Sequence, residues 1–248
     1  MPTNVCLIIP CYNESERLDF SQLKALPPTV TCVLVDDGST DSTAALIARH
    51  ESGTLRLLRL PGNVGKGEAI RQGFLHARER GWLSQADWVG YWDADLATPL
   101  SEIDNFLAYG ALSGTPPDAI LGSRIYKLGS TIVRSPVRHL LGRLFTTVVS
   151  NLLYLDCYDS QCGAKLFRPD VAGEAFGEPF VSRWIFDVEI LARLRSRCLV
   201  EYPLIRWVDV RGSKLGILKV AVPTLVDLIH IRWRYGKPRD TAPRMPRR

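Results

Sequence analysis

Five short apolar runs punctuate the first half of the chain, and each ends in polar or turn-forming residues. Val5-Cys-Leu-Ile-Ile9 gives way to Pro10-Cys-Tyr-Asn-Glu14, and Val30-Thr-Cys-Val-Leu-Val35 to Asp36-Asp37-Gly38-Ser39-Thr40-Asp41. Leu55-Arg-Leu-Leu58 is weaker. Trp88-Val-Gly-Tyr-Trp92 runs into Asp93-Ala94-Asp95, and Ala119-Ile-Leu121 into Gly122-Ser123-Arg124. Continuous apolar runs of this length predict strands buried on both faces. Pro10 is expected to end the first ladder. Helical patterns run through Ala44, Leu46 and Ile47 and through Ile70, Phe74 and Leu75. A further helix is predicted from Pro99, with Thr98 as its N-cap. Alternating strands and helices imply right-handed crossovers and an α/β fold with a mainly parallel central sheet flanked by helices. Ligands of such sheets sit beyond the carboxyl ends of the strands.

The second half differs. Leu140/Leu141, Leu144/Phe145, Val148/Val149 and Leu152/Leu153 recur every four residues, a wide apolar helix stripe that suits either core packing or a membrane surface. Residues 156–168 read as a dense polar loop. A helix is predicted from Ser182, on which Asp187 and Glu189 fall on different faces. An apolar segment from Ile217 to Ile231 is interrupted by Pro223.

Of the net charge of +5, residues 232–248 carry seven basic groups against Asp240, so the remainder is close to neutral. That balance argues against a nucleic-acid-binding body and for a basic tail, which suits anionic lipid headgroups or a solvated end. The six cysteines form no Cys-x-x-Cys pair and read as core residues of a reducing compartment. No secretory signal stands at the N-terminus, and no uncharged apolar run reaches the roughly 20 residues of a bilayer span. A cytoplasmic protein, at most peripheral to a membrane, is expected.

Polar clusters at four strand exits carry the chemistry: Asn13/Glu14, Asp36/Asp37, Asp93/Asp95 and Arg124. Asp93 and Asp95, one residue apart at a strand end, can face one divalent cation. A lone Asp-x-Asp is equally a solvated acidic turn; the convergence of four exits favours a ligand cleft. Lys66 lies between Gly65 and Gly67, which suits close backbone approach to a ligand or a plain loop-to-helix turn. The Walker spacing and the dinucleotide Gly-x-Gly-x-x-Gly are both missing.

Taken together the motifs resemble the family 2 glycosyltransferases of GT-A (nucleotide-diphospho-sugar transferase) fold. The matching pieces are Pro10-x-Tyr12-Asn13-Glu14, Val35-Asp36-Asp37-Gly38-Ser39-x-Asp41, Asn63-x-Gly65-Lys66-Gly67, Asp93-Ala94-Asp95, Gly122-Ser123-Arg124, Gln161-Cys-Gly-x-Lys165-x-Phe167, Phe186-Asp187-x-Glu189 and Gly212-Ser213-Lys214-Leu215. They run in family order over nearly the whole chain. Within the family the resemblance is to the polyprenyl-phosphate enzymes, and among these to the dolichyl-phosphate β-glucosyltransferase branch. Related mannosyltransferases usually carry Gln where Ala97 stands.

The resemblance implies an inverting transfer of a sugar from a nucleotide-sugar, glucose from UDP-glucose on this branch, to a polyprenyl phosphate at a membrane surface. It implies Mg²⁺ or Mn²⁺ on Asp93 and Asp95, with Asp95, Asp187 and Arg124 as the catalytic set. Pro10, Tyr12, Asn13, Glu14, Asp36, Asp37, Gly65, Lys66, Gly67, Ala94, Arg138, Gln161, Lys165, Ser213 and Lys214 would line the substrates. Asp37 would hold base and ribose; Arg124, Arg138, Lys165 and Lys214 would act as anion clamps. Residues 1–235 are expected to form one catalytic unit, followed by a basic tail at 236–248. A GDP-mannose enzyme, a sugar-1-phosphate nucleotidyltransferase and a non-catalytic lipid- or partner-binding module are the competing readings. The nucleotidyltransferase lacks support, because Pro10-Cys-Tyr-Asn-Glu stands where its glycine-rich phosphate loop belongs. The binding module is disfavoured by intact Asp37, Asp93 and Asp95, since grouped charges carry a desolvation cost. A membrane-protein partner is the alternative to direct lipid contact.

Overall fold

The computed structural model describes residues 2–209 and 217–236, with the backbone alone at 136–138, 141 and 217–222. Ser213, Lys214 and the tail from Lys237 lie outside the described residues. Strands β1 (Val5–Cys11), β2 (Val30–Asp36), β3 (Leu55–Arg59) and β4 (Trp88–Trp92) form the parallel half of a seven-stranded sheet in the order β3-β2-β1-β4. Strand β5 (Ala119–Ser123) pairs in parallel with β8 (Leu199–Pro203). Between β4 and β5 runs β7 (Ala164–Phe167), antiparallel to both. Short strands β6 (Thr131–Val133) and β9 (Arg206–Val208) make a separate parallel pair.

The unbroken apolar runs are explained by two cores, one on each side of the sheet. Cys6, Ile8, Val33 and Val35 face one core, with Ile70 and Phe74 of α3 (Lys66–Glu79), Phe176 of α6 (Pro169–Phe176) and Val188 of α7 (Phe186–Arg193). Leu7, Ile9 and Leu34 face the other. There they meet Leu23 of α1 (Phe20–Lys24), Ile47 of α2 (Thr43–Ala48) and Phe106 of α4 (Glu102–Leu112). Side chains alternate along a strand, so a strand covered on both faces has no polar position to spare. Cys6, Cys11, Cys32 and Cys162 are buried free thiols.

Four local expectations need correction. Pro10 does not end β1: it pairs with Val35 and Cys11 with Asp36, because proline removes only its own donor. Thr98 caps nothing, and α4 begins at Glu102. The Thr98 carbonyl instead accepts the Trp92 indole N–H at 2.7 Å, which keeps that segment looped. Helix α7 starts at Phe186 rather than Ser182. The Ser182 hydroxyl accepts the N–H groups of Trp184 and Ile185 at 3.1 and 3.0 Å, making a local turn first. Lastly, the polar stretch 156–168 contains β7.

Helix α5 (Pro136–Leu153) splits its apolar stripe: Val149 and Leu153 are buried, whereas Leu140 and Leu144 are 71% and 63% exposed. Helix α8 (Ile217–Tyr235) continues through Pro223 and packs on both α5 and α7. It buries Leu228 and Ile231 and exposes Leu225, Ile229 and Trp233. Among the described residues no helix is long and apolar enough to cross a membrane.

Candidate active site

Asp93 and Asp95 lie not in β4 but in the turn after it, where Leu96 takes a φ of 48°. The Leu96 N–H donates to the Asp93 carbonyl at 3.1 Å, and the Ala97 N–H to Asp95 Oδ1 at 3.1 Å. The Asp93 N–H donates to the Gly163 carbonyl at 2.9 Å, extending the β4–β7 pairing by one step. Its carboxylate rests on Gly163, where a Cβ would stand 2.0 Å from Oδ2. Gly163 is therefore a requirement of space. Lys66, the first residue of α3, places Nζ 2.6 Å from Asp93 Oδ1. Burial opposes the Lys66 charge, but Asp93 and then Asp187 outweigh it and hold the ammonium above its ordinary pKa.

Burial, then the charge of Asp93, pushes Asp95 above the usual carboxylate range. Such a pair is short of positive charge, and hard carboxylate oxygens suit Mg²⁺ or Mn²⁺. Among the described residues no group of three His, Cys, Asp or Glu side chains could hold a metal alone. Further oxygens would have to come from a ligand and water, the usual arrangement for Mg²⁺.

The loops after β1 and β2 interlock to form one wall. Asn13, at φ 53°, accepts the Thr40 N–H on Oδ1 at 2.9 Å and donates its own N–H to the Ser39 hydroxyl at 3.0 Å. The Asp37 carboxylate accepts the N–H groups of Val64 and Gly65 at 2.7 and 2.9 Å and so anchors the loop leading into α3. Gly38, at φ 67°, lies against Gly62, where a Cβ would come within 2.5 Å of backbone. Asp36 is fully buried, accepts the Ser39 N–H on Oδ1 at 3.2 Å and has Arg59 Nε 3.6 Å from Oδ2. Beside Asp37 an open pocket of about 400 Å³ is lined by Gly38, Ser39, Arg59, Leu60 and Pro61. Glu14 pairs with Arg17 through Oε1 at 2.6 Å, while its Oε2 is buried without a partner. Burial raises the Glu14 pKa against the pull of Arg17, and Asp95 adds to the rise, so Glu14 borders the acid pair. Tyr12 is exposed and Ala94 buried.

Other expected contacts turn out differently. Gly65 and Gly67 admit close approach, but of side chains rather than ligand: a Cβ at Gly65 would meet Arg183 at 2.6 Å, and one at Gly67 would meet Phe186 at 2.6 Å. Arg183 also donates to the Asn63 side chain. Arg124 is not a free clamp, because Nε and Nη2 hold Asp159 at 2.7 and 2.8 Å. Lys165 is fully buried and donates to the carbonyls of Ser160 and Cys162 at 3.0 and 2.6 Å and to Asp187 Oδ1 at 2.5 Å. An ammonium has three N–H groups, so none is left for a phosphate. Gln161 is exposed. The Arg138 side chain, Ser213 and Lys214 lie outside what is described.

Sequence reasoning assigns no individual role to Tyr91, Gly163, Arg134, His139 or Glu201. Glu201 accepts the N–H groups of Tyr158 and Asp159 at 2.8 and 2.9 Å, fixing the loop that holds Arg124. Arg143 stacks 3.8 Å from the Tyr158 ring. Burial and the neighbouring Arg124 depress Arg134, while burial followed by Arg134 and Arg143 depresses His139. Arg124, Arg134, His139 and Arg143 thus lie within electrostatic reach of one another and of Asp159.

Comparison with known proteins accords with this geometry. The model of the family described as "Glycosyl transferase family 2" matches residues 6–176. Dolichyl-phosphate beta-glucosyltransferase of Dictyostelium discoideum is 31% identical over 92% of this chain and 74% of its own length. The Homo sapiens enzyme of that name is 32% identical over 92% of this chain and 75% of its own length. Among solved structures, glucosyl-3-phosphoglycerate synthase from Mycobacterium tuberculosis, in complex with Mn²⁺, UDP-glucose and phosphoglyceric acid, superposes with a TM-score of 0.66 at 18% identity. The superposition covers 96% of this chain and 82% of that one, and at such identity it establishes the GT-A fold. The family match runs from β1 through α6, taking in every strand of the central sheet but β8 and the whole Asp93–Gly163–Lys66 cluster, and this chain belongs to glycosyl transferase family 2.

Proposed function

We propose that this glycosyltransferase moves glucose, with inversion, from UDP-glucose to a polyprenyl phosphate of the dolichyl type, and that it depends on Mg²⁺ or Mn²⁺. The observation that carries the reading is the cluster of Asp93, Asp95 and Lys66 beyond β4, where two carboxylates and an ammonium meet in the turn after the strand. The relatives named dolichyl-phosphate beta-glucosyltransferase support the sugar and the lipid class. Residues 1–235 act as one catalytic unit in this reading.

Asp93 and Asp95 would hold the cation against the donor diphosphate, with Lys66 as a second positive charge. When bound, the metal supplies Lewis-acid stabilisation of the departing nucleotide. The pocket beside Asp37 suits the base and ribose. A phosphate monoester, with a second pKa of about 6, is largely ionised at neutral pH and needs little help from a base. It needs cations to hold it, and the Arg134–Arg143 side offers them. The exposed apolar faces of α5 and α8 would rest on the lipid surface, as amphipathic interfacial helices do.

Purified protein given dolichyl phosphate in detergent, with UDP-glucose or GDP-mannose and Mn²⁺ or EDTA, tests the proposal. Glucolipid should form from UDP-glucose and disappear with EDTA. Mannolipid formed in preference, or turnover untouched by EDTA, would overturn the donor or the metal assignment respectively.

A further inference from the structure

A buried three-residue link stands behind the cleft, and the chemistry above leaves it unused. Tyr91 on β4 and Lys165 on β7 are register partners, both fully buried. Tyr91 donates its hydroxyl, and Lys165 its ammonium, to one and the same oxygen of Asp187, Oδ1. An ionised carboxylate can only accept, so the Tyr91 phenol is the donor of this contact. Asp187 Oδ2 accepts no hydrogen bond from any described residue, and the side chain keeps 6% of its surface exposed. Lys66 Nζ lies 5.8 Å from the ring of Phe186, the residue before Asp187, and Lys165 joins Asp187 to the Cys162 carbonyl, one residue before the Gly163 on which Asp93 rests. Asp187 thus stands at the Lys66–Asp93 end of the site.

An ion pair buried this deeply costs desolvation that apolar side chains of similar size would avoid. Fold stability alone gives little reason to keep it. An ionised carboxylate only accepts hydrogen bonds, so its partner must bring a donor. The diphosphate and an ionised acceptor phosphate bring none, and the pocket suited to the base adjoins Asp37 at β2 and β3. The sugar hydroxyls remain.

We propose that Tyr91 and Lys165 are positioning residues that hold Asp187 by Oδ1 so that Oδ2 accepts a hydrogen bond from a hydroxyl of the transferring sugar; the sugar's presence there rests on the function proposed above. Lys165 also ties the Ser160 and Cys162 carbonyls, and so fixes the turn whose Gly163 supports Asp93. Sugar and metal ligand are positioned from one ammonium.

The test compares wild type with Tyr91→Phe, Asp187→Asn, the double variant and Lys165→Met. The readouts are kcat, KM for the donor, UDP affinity in Mn²⁺ and the thermal midpoint. Tyr91→Phe should lower kcat about 10-fold, with UDP affinity, which lacks any sugar contact, unchanged within about twofold. The double variant should be no slower than Asp187→Asn alone, as expected of residues acting through one group. A Tyr91→Phe enzyme with wild-type kcat and a lowered midpoint would overturn the proposal in favour of a structural pair. So would equal losses in kcat and UDP affinity, or losses that multiply in the double variant. Lys165→Met should lose kcat and weaken Mn²⁺-dependent UDP binding together; if it does not fold, the tyrosine series decides. Should wild type use GDP-mannose, the donor assignment falls, and the same variants measured with that donor, and with GDP as the binding probe, still decide the positioning role.

Discussion

Gly163→Ala is the sharpest single test of the Asp93 site, because the perturbation is one methyl group. An added Cβ would lie 2.0 Å from Asp93 Oδ2, 2.1 Å from Cγ and 2.2 Å from Oδ1, whereas ordinary contact begins at 3.4 Å. The carboxylate must therefore retreat by roughly 1.2–1.4 Å, the difference between those contacts. The Asp93 backbone cannot follow without giving up its 2.9 Å hydrogen bond to the Gly163 carbonyl, so the side chain turns instead. Metal–ligand distances tolerate about 0.2 Å, and a displacement several times larger removes Asp93 from the coordination set. A misplacement of about 1 Å in a reacting constellation costs on the order of 100-fold, or about 2.7 kcal/mol of transition-state stabilisation. Gly163 does not sit in the left-handed region, so the alanine backbone itself is unstrained. The lost chain entropy of the unfolded state even favours alanine by about 0.4–1 kcal/mol, which limits any fall in the thermal midpoint. Calorimetric titration of UDP with Mn²⁺ and with EDTA isolates the metal-dependent part of donor affinity. That part should vanish in Gly163→Ala and persist in Gly53→Ala, where an added Cβ meets nothing within 4 Å. A Gly163→Ala protein with wild-type kcat/KM and intact Mn²⁺-dependent UDP binding would refute the metal-site geometry.

Asp95→Asn should abolish transfer with the thermal midpoint retained, measured by glucolipid formation beside a melting curve. Burial raises Asp159, but Arg124 outweighs it and holds the carboxyl below its ordinary value; wild type should therefore draw stability from this pair above about pH 4, the unfolded value, and lose it as pH falls through the lower folded value. Arg124→Gln removes the guanidinium, leaves Asp159 the backbone N–H of position 124, and should cost about 3 kcal/mol at neutral pH; with that charge gone, urea midpoints of the variant should lose the acid-side fall that wild type shows. Protein mixed with anionic liposomes should float at low salt, and Leu144→Glu/Trp233→Glu should abolish flotation; unchanged flotation would remove α5 and α8 as the contact.

The runs of β1, β2, β4 and β5 are legible because these strands are buried on both faces, which leaves an apolar signature; β3, with only Leu55 buried, reads more weakly. Strand β7 is not legible, since four residues, Ala164 to Phe167, carry a lysine and follow a polar loop. Nothing local marks it as sheet; its place is set by β4 and β5, which it pairs on either side. Strands β6 and β9 are three residues each and rest on one another rather than on any pattern of their own. Asp93 and Asp95 were found through strand spacing, although a turn in which Leu96 adopts positive φ is what brings them near each other. The glycines at 65 and 67 suggest close approach of a ligand, whereas Arg183 and Phe186, distant in sequence, are what packs against them.

The basic residues show most clearly where sequence reading ends. Lys66, Arg124 and Lys165 look alike as candidate anion clamps, and only partner counting separates them. Lys165 spends all three donors inside the core, and Arg124 spends two on Asp159. Lys66 is committed to Asp93 from one side only and is partly exposed, so an arriving cation can displace it and leave it for the diphosphate. Arg134 has no carboxylate partner among the described residues; burial, then the neighbouring Arg124, lowers its pKa against an upward pull from Asp159. Charge that a fold leaves uncompensated is charge reserved for a ligand. In the function proposed above, the acceptor phosphate would then sit with Arg134 and Arg143, and the donor diphosphate with Lys66. Arg134→Gln should accordingly raise the acceptor KM several-fold and leave UDP affinity unchanged, and Lys66→Met should do the reverse. Exchange of those two phenotypes would place the phosphates on the opposite sides of the cleft.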